Sequence, residues 1–307
     1  MPELPDVTVY VEAIAARVVG HRLLRVTIAN PFLLRSFEPP PRTVEGRRVK
    51  AVRRLGKRIA IGVEDDLWLV LHLMISGRLH WYPVAETRRR RAALATFEFD
   101  NGALTLTEAG TKRRASLHVV AGERALAVHD PGGLELALTT PASFAARLTA
   151  ANHTLKRALT DPRILSGIGN AYSDEILHRA RLSPLALTRS LEPADLERLY
   201  SATRAVLDEW TSLLRDEASD RFPEGVTAFR EGMAVHGRFG KSCPVCGTRV
   251  QRIRYAENET NYCPRCQTDG RVLSDRSLAR LLKDDWPRTI EELERRDKSD
   301  LSGPPAP

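Results

Sequence analysis

Residues 243–266 read CPVCGTRVQRIRYAENETNYCPRC, and this stretch holds all four cysteines of the chain. The cysteines form two pairs, each with a two-residue gap, and 16 residues separate the pairs. This is the spacing of a four-thiolate zinc ribbon, because each short gap lets a tight turn direct two sulfurs at one ion. Four protein ligands leave no coordination position for a substrate water, so the motif predicts one structural Zn²⁺. Its predicted ligands are Cys243, Cys246, Cys263 and Cys266.

Two other uses of paired cysteines fit this sequence less well. A redox dithiol is expected as a single such motif beside a βαβ unit, and disulfides suit an exported protein. The first residues, MPELPDV, lack the basic segment and the apolar segment of a secretory signal. The longest apolar run, Leu67–Ile75, has nine residues, whereas spanning a bilayer takes roughly 20. We therefore expect neither export nor a membrane-spanning helix.

The charge balance favours an acidic partner. The chain has 47 lysines and arginines against 39 acidic residues, a formal net charge of +8 at pH 7. Between the cysteine pairs, Arg252 and Arg254 lie two residues apart, so their side chains share one face of a strand. They form either a solvated strand edge or a contact for nucleic-acid phosphates. Gly167-Ile168-Gly169 begins like a dinucleotide-binding motif, but Tyr172 takes the place of the third glycine, so no nucleotide cofactor is expected.

The apolar pattern upstream of the ribbon predicts a strand-rich part followed by a helical part. Asp6–Val18 has helical spacing and is followed by Gly20 as a stop. The next runs are short, rich in β-branched and aliphatic residues, and bounded by turn residues, as in antiparallel sheets. The predicted strands are Leu23–Ile28, Val49–Leu55, Arg58–Val63, Leu67–Leu73, Thr96–Phe99, Leu104–Thr107 and Leu117–Val120. From Pro141 to about Ser219 the spacing of leucine and alanine predicts helices.

The remaining segments are predicted from composition. Pro223–Gly240 is expected to be a mobile loop that leads into a strand, and Ser302–Pro307 a disordered end. Ser274–Lys283 and Arg288–Arg295 are expected to be helical. A length of 307 residues allows two domains of ordinary size.

The amino terminus is a second place where chemistry is expected. Removal of the initiator methionine leaves Pro2 with a secondary amine, which can attack a sugar C1′ to form an iminium ion. The positive end of a helix dipole lowers the proton affinity of such an amine, and Glu3 beside it can transfer protons. The alternative is that proline and glutamate merely suit the first turn of a helix.

Four motifs follow one another along the chain and carry a family resemblance. They are PELPDV at residues 2–7, Lys57 in the sequence LGKR at 55–58, LSGIGNAY at 165–172, and VHGR at 235–238 before the ribbon. In this order the chain resembles the formamidopyrimidine-DNA glycosylase/endonuclease VIII family of base-excision enzymes, from residue 2 to about 268.

The resemblance implies an α+β fold: an N-terminal β-sandwich flanked by helices, then a C-terminal helical helix–two-turn–helix domain with a four-cysteine zinc finger. The implied boundaries are a catalytic domain at 1–130, a hinge at 131–140, the helical DNA-binding domain at 141–240 and the finger at 241–270. Residues 271–307 would be a partly disordered extension.

The implied activity is that of a bifunctional DNA glycosylase/AP lyase that releases oxidised bases and nicks the strand by β,δ-elimination. Pro2 would form the Schiff base, Glu3 would donate the proton that opens the sugar, and Lys57 would contact phosphate and lesion unless it is an ordinary turn lysine. The implied partner is damaged duplex DNA, with single-stranded DNA left open, and the implied protein is a monomer in the bacterial cytoplasm. The alternatives are a lyase acting mainly on abasic or single-stranded sites and a non-catalytic DNA-binding protein of this fold.

The resemblance also implies DNA contacts. Asn170 matches the family's phosphate-binding asparagine, and Lys156 lies near its phosphate-binding lysine, although the neighbouring glycines also suit a plain helix–helix turn. Ile75 lies where the family often has a methionine that fills the gap left by a flipped base. The alternative is that Ile75 is a buried strand residue.

Three positions depart from the family pattern. Residues 107–114, TEAGTKRR, lack the aromatic residue that family members acting on oxidised purines insert into the DNA. Asn258 replaces the arginine of the finger, whose contact Arg252 or Arg254 would have to supply, and Asp6 replaces a frequent glutamate. The preferred lesion therefore stays open.

Overall fold

The computed structural model describes residues 1–84, 93–109, 113–226, 230–255, 258–274, 280 and 286–301. The chain forms two compact units. The N-terminal unit comprises Met1–Leu136, Leu165–Ile168 and Leu207–Ala228. The C-terminal unit comprises Ala137–Ile164, Gly169–Val206 and Phe229–Pro307. Among the described residues, no helix has both the length and the apolar character needed to cross a membrane.

Eight antiparallel strands form the sheet of the N-terminal unit, in the order β5-β7-β6-β1-β2-β3-β4-β8. In chain order they are β1 (Arg22–Ile28), β2 (Arg47–Leu55), β3 (Arg58–Val63), β4 (Leu67–His72), β5 (Gly77–Pro83), β6 (Ala93–Phe99), β7 (Gly102–Glu108) and β8 (Ser116–Ala121). Only two residue pairs join β1 to β2, so the sheet divides there into two four-stranded halves. Apolar residues of both halves share one core, for example Phe97 and Leu106 with Ile61 and Leu69. The predicted β-sandwich is confirmed.

Strand β5 was missing from the predicted set. Its sequence alternates Leu79 and Trp81 with Arg78 and His80, which is the period-two pattern of a half-buried strand. This alternation, with Gly77 as the first residue of the strand and Pro83 as the last, is the signal that would have identified the strand.

Helix α1 (Leu4–Val18) packs its apolar side against the same core. Val7, Tyr10, Ile14 and Val18 follow one another at intervals of three and four residues and are buried, as the helical period requires. The Asp6 carboxylate accepts a hydrogen bond from the backbone N–H of Glu3 at 2.9 Å, which satisfies a donor that the helix itself leaves unpaired. The short helix α2 (Glu123–Ala127) follows β8.

The C-terminal unit contains the predicted helices. They are α3 (Pro141–Thr149), α4 (Leu155–Thr160), α5 (Asn170–Arg179) and α6 (Pro193–Ala218), of which α6 contributes residues up to Val206 to this unit. The described parts of Pro223–Gly240 contain no strand, and the next strand along the chain begins at Gln251.

The cysteine-bearing segment is a hairpin followed by a short helix. Strands β9 (Gln251–Tyr255) and β10 (Asn258–Tyr262) pair antiparallel, and α7 (Pro264–Thr268) comes next. The chain beyond it pairs back, since Val272 N–H donates to Arg288 O and Ile290 N–H to Gly270 O. Helix α8 (Ile290–Leu301) begins two residues later than predicted. The predicted helix Ser274–Lys283 lies almost entirely outside the described residues, and so does the end at 302–307.

Candidate functional site

The amino-terminal segment of the N-terminal unit is buried and held on two sides. Glu3 and Asp6 are each 2% exposed, and Pro2 is buried as well. Besides the bond from Glu3 N–H to Asp6, the backbone N–H of Leu4 donates to Gly167 O at 2.8 Å. The start of α1 is therefore fixed to the loop that contains Gly167.

Charged groups of both signs surround the amino group. This group belongs to Met1, directly before Pro2. Burial lowers its pKa, and Arg78 and Lys57 lower it further, while Glu3 and Asp6 act in the opposite direction. A lowered pKa increases the neutral, nucleophilic fraction of an amine near pH 7. The structure thus brings Glu3 and Lys57 of the predicted site to the amino terminus and adds Arg78.

Lys57 occupies a two-residue turn between β2 and β3, where Leu55 pairs with Arg58. Gly56 has φ +59° and Lys57 has no positive φ, which matches a type II′ turn with glycine first. The turn projects one lysine from a rigid hairpin.

Ile75 lies at the tip of the turn between β4 and β5. It is 56% exposed, whereas Leu73 is 1% exposed, so the alternative of a buried strand residue is wrong for Ile75. Met74 has φ +52°. Gly77 closes the turn because a Cβ there would lie 2.3 Å from Leu73 O. The structure therefore places an apolar side chain in solvent at the tip of this turn.

A buried carboxylate links this turn to the segment that departs from the family pattern. Glu108, 8% exposed, accepts hydrogen bonds from Arg114 N–H at 2.9 Å, Ala115 N–H at 3.1 Å and Ser76 Oγ at 3.5 Å. The sequence analysis missed Glu108, since a strand-end glutamate gives no local signal of its partners.

In the C-terminal unit, Lys156 and Asn170 lie next to each other. Lys156 Nζ donates to Asn170 O at 2.7 Å and to Asp174 Oδ1 at 2.5 Å. Asp174, fully buried, also accepts from His236 Nδ1 at 2.8 Å and from Asn261 N–H at 3.1 Å. Sequence reasoning missed Asp174, although the spacing of one helical turn between Asn170 and Asp174 places both on one face of α5.

The hairpin of β9 and β10 places Arg252 and Arg254 on one face, as predicted from their spacing. Both guanidinium groups face Glu259, at 3.2 Å and 3.5 Å. Arg252 also stacks on the ring of Phe239, 4.1 Å from its centroid. The side-chain amide of Asn170 donates to Glu259 O at 2.8 Å, which connects the start of α5 to this hairpin.

The four cysteine sulfurs form one cluster. All lie within 4.8 Å of one another, with 3.4 Å between Cys246 and Cys263 and 4.0 Å between Cys243 and Cys266. A tetrahedral ion with Zn–S bonds of about 2.3 Å needs sulfurs about 3.8 Å apart, so the donor set fits zinc in type, number and spacing. His178 Nε2 lies 3.3 Å from Cys243 Sγ. Burial lowers the pKa of His178 to about 4, so a neutral imidazole can donate to that sulfur.

Comparison with protein families gives three matches in sequence. The formamidopyrimidine-DNA glycosylase N-terminal domain matches residues 1–117, the H2TH domain of the same proteins residues 135–219, and the zinc finger found in FPG and IleRS residues 240–268. The third match contains all four cysteines of the cluster.

Individual proteins are similar over most of the chain. The formamidopyrimidine-DNA glycosylase of Thermus thermophilus is 36% identical over 282 residues, which cover 88% of this chain and all of that protein. That of Symbiobacterium thermophilum is 33% identical over 297 residues, 90% of this chain and 93% of the other. The Lactococcus lactis Fpg (MutM) structure with oxidised-pyrimidine DNA has a TM-score of 0.77 at 23% identity, covering 87% of this chain and 100% of that one.

Proposed function

Because this chain belongs to the formamidopyrimidine-DNA glycosylase family, we propose that it is a bifunctional DNA glycosylase/AP lyase acting on oxidised bases in duplex DNA. The observation that best supports the activity is the amino-terminal cluster, in which Glu3, Asp6, Lys57 and Arg78 lower or raise the pKa of the half-buried Met1 amino group, directly before Pro2. A protein that only binds DNA has no use for an amine of lowered pKa beside a carboxylate. We further propose that it acts as a monomer in the bacterial cytoplasm.

The chemistry begins once Met1 has been removed. The nitrogen of Pro2 attacks C1′ of the damaged nucleotide and loses its proton, and the base leaves with the electron pair of its glycosidic bond and takes up a proton. Glu3 gives a proton to the ring oxygen as the C1′–O4′ bond opens, and the product is an iminium ion. β-Elimination then removes a proton from C2′ and breaks the C3′–O bond, and δ-elimination removes a proton from C4′ and breaks the C5′–O bond. Hydrolysis of the Schiff base returns the Pro2 amine.

The surroundings of the amine suit each step. Burial and the cations Arg78 and Lys57 lower the pKa of the Met1 amino group, and we expect the same surroundings to disfavour protonation of the Pro2 nitrogen once Met1 is removed. The same two cations attract the phosphates on either side of the damaged nucleotide. Ile75, exposed at its turn, would occupy the space left when the nucleotide leaves the stack.

The C-terminal unit would hold the backbone of the DNA. Asn170 is the first residue of α5, where helix N–H groups favour an anion, and one hydrogen of its side-chain amide is used by Glu259 O. Lys156 donates to the backbone O of Asn170 and pairs with Asp174, so it would hold the start of α5 in position for a phosphate. Arg252 and Arg254 would contact phosphates further along, in place of an arginine at position 258.

One zinc ion is proposed for the cluster of Cys243, Cys246, Cys263 and Cys266. When bound, it supplies cross-linking and no reaction chemistry, since all four positions are filled by thiolates. It would tie together the two ends of the β9–β10 hairpin and so fix the position of Arg252 and Arg254.

Borohydride reduction tests the proposed intermediate. A duplex with a defined oxidised base or an abasic site should become covalently attached to the wild-type chain, and Pro2→Gly should abolish the adduct. Glu3→Gln should remove base release, and Glu197→Gln, at an exposed position of α6, is the matched control. A fully active Glu3→Gln contradicts the role given to Glu3. Trapping on abasic or single-stranded DNA alone supports a lyase without glycosylase activity. Tight binding with no adduct supports a binding protein.

A further inference from the structure

We propose that Arg54, Glu135 and Ser166 form a positioning cluster that holds Lys57 in register with the amino terminus. This inference rests on the proposed function and adds three residues to it, none of which touches the reacting atoms. All three belong to the N-terminal unit, although Glu135 lies 81 positions after Arg54 and Ser166 lies 31 positions after Glu135.

Arg54 fixes the turn that carries Lys57. Arg54 is in β2 three residues before Lys57, and its Nη1 donates to Gly56 O at 3.0 Å, inside the turn itself. Its Nη2 forms an ion pair with Glu135. The side chains of Arg54 and Glu135 are 17% and 35% exposed, so the pair is partly shielded from water. A planar guanidinium that bonds to both the turn and a carboxylate fixes the turn in direction as well as in distance.

Ser166 and Gly167 connect Arg54 and Glu135 to the start of α1. Ser166 is 2% exposed, and its hydroxyl donates to Glu135 Oε1 at 2.5 Å. It also accepts from Arg54 Nη1 at 3.3 Å. The next residue, Gly167, accepts the backbone N–H of Leu4 at 2.8 Å. The contacts therefore run from the Lys57 turn through Arg54 and Ser166 to the residue that follows Glu3 and Pro2.

Gly167 is packed closely against both Leu4 and Arg54. Gly167 has φ +79°, and a Cβ there would lie 2.8 Å from Leu4 Cβ and 3.2 Å from Arg54 Nη1. Only glycine permits this approach without strain. Reaction rates fall about 100-fold when a reacting group is misplaced by about 1 Å. A cluster that holds the Lys57 turn and the amino terminus in place should therefore affect the reaction rate more than the affinity for DNA.

The cluster is tested by single-turnover trapping with borohydride on a duplex that contains one abasic site. Arg54→Lys keeps the charge but loses the fork of donors, and Glu135→Gln keeps the shape but loses the ion pair. Each should lower the trapping rate by about 10- to 100-fold. Affinity for a duplex with a tetrahydrofuran abasic analogue should change less than about threefold. Ser166→Ala, which removes one small hydroxyl, should lower the rate in the same direction and keeps the test valid if a larger change unfolds the chain.

Neighbouring residues supply matched controls. Arg53 is adjacent in β2 but pairs with Glu123 at 2.7 Å on the exposed side and stacks on Trp68. Arg53→Lys and Glu123→Gln should therefore leave trapping unchanged. Thermal unfolding of every variant shows whether a lost rate follows from a lost fold.

A double-mutant cycle separates positioning from general destabilisation. If Arg54 acts by placing Lys57, then Arg54→Lys should lower the rate less than about threefold when Lys57 is already alanine. Three results overturn the inference while leaving the proposed function intact: an active wild type with unaffected variants, a loss that persists in the Lys57→Ala background, or a loss equal to the unfolded fraction. A wild-type chain that forms no adduct overturns the proposed function, and this inference with it.

Discussion

The contacts of Glu175 in the C-terminal unit allow a quantitative prediction of stability. This carboxylate on α5 is 6% exposed. It accepts three backbone N–H groups, from Ala234 at 2.7 Å and from Val235 and His236 at 2.9 Å each. Val235 in turn packs against Cys243 and the rest of the cysteine cluster. The carboxylate therefore holds in place the chain that leads into the zinc finger.

Glu175→Gln changes this contact without changing its size. With its carbonyl in the position of Oε1, glutamine keeps the bonds from Val235 and His236 but turns an N–H toward the N–H of Ala234. The lost bond to a charged acceptor costs about 1.5–3 kcal/mol, and the two remaining bonds each weaken by about 1 kcal/mol when the charge is removed. The expected loss of stability is therefore about 3–5 kcal/mol.

Zinc release during urea unfolding measures this loss of stability at the zinc finger itself. With a denaturant slope of about 2 kcal/mol per molar urea, the midpoint for release to a chelating dye should fall by about 2 M. Glu197→Gln, the same change at an exposed position of α6, should leave the midpoint unchanged. A Glu175→Gln midpoint within a few tenths molar of wild type would refute the idea that these three bonds hold the finger.

Three further predictions concern the metal, a buried histidine and a glycine. Chelation, or Cys263→Ser, should unfold the finger and weaken DNA binding, and it should flatten the dependence of affinity on salt because phosphate contacts are lost; unchanged affinity in a zinc-free chain would contradict this. Burial, with Arg58 and Lys57, lowers the pKa of His72 to about 4. Since the unfolded state takes up this proton first, stability should fall by about 2 kcal/mol from pH 7 to pH 5, and His72→Gln should reduce the fall in urea titrations. Gly167→Ala should destabilise the chain and slow trapping more than Gly132→Ala, because Gly132 has a similar φ of +77° but no atom within 4 Å of the added Cβ; equal effects would show that only the backbone conformation matters.

The sequence predicts best those features that local spacing determines. The cysteine pairs predict their sulfur cluster because each gap closes one tight turn, and the sulfurs lie as a single ion requires. The helical period of α1 predicts its buried side through Val7, Tyr10 and Ile14. The same holds for Arg252 and Arg254, whose common face follows from the two-residue repeat of a strand.

Partners that are distant along the chain could not be predicted in this way. Nothing around Glu135 indicates Arg54 or Ser166 as its contacts, and nothing around Asp174 indicates His236 or Asn261, because tertiary packing alone brings them together. The exposure of Ile75 was also undecided, since an apolar run such as Leu67–Ile75 has the same composition in a buried strand and in the turn that ends it.

The carboxylates of Asp174 and Glu135 restrict the positions of the cations with which they pair. Lys156 is held by Asp174 and Arg54 by Glu135, so each lost most of its freedom when the chain folded. A cation that is already fixed loses little further side-chain entropy when a phosphate binds. Its pairing therefore defines the position of the phosphate more than it raises the affinity. Arg252 and Arg254 share the single carboxylate of Glu259, so this group of three side chains keeps one net positive charge. The two groups of cations thus differ in what they contribute. Lys156 and Arg54, each paired with a carboxylate, hold defined positions, whereas Arg252 and Arg254 keep positive charge that can attract phosphates.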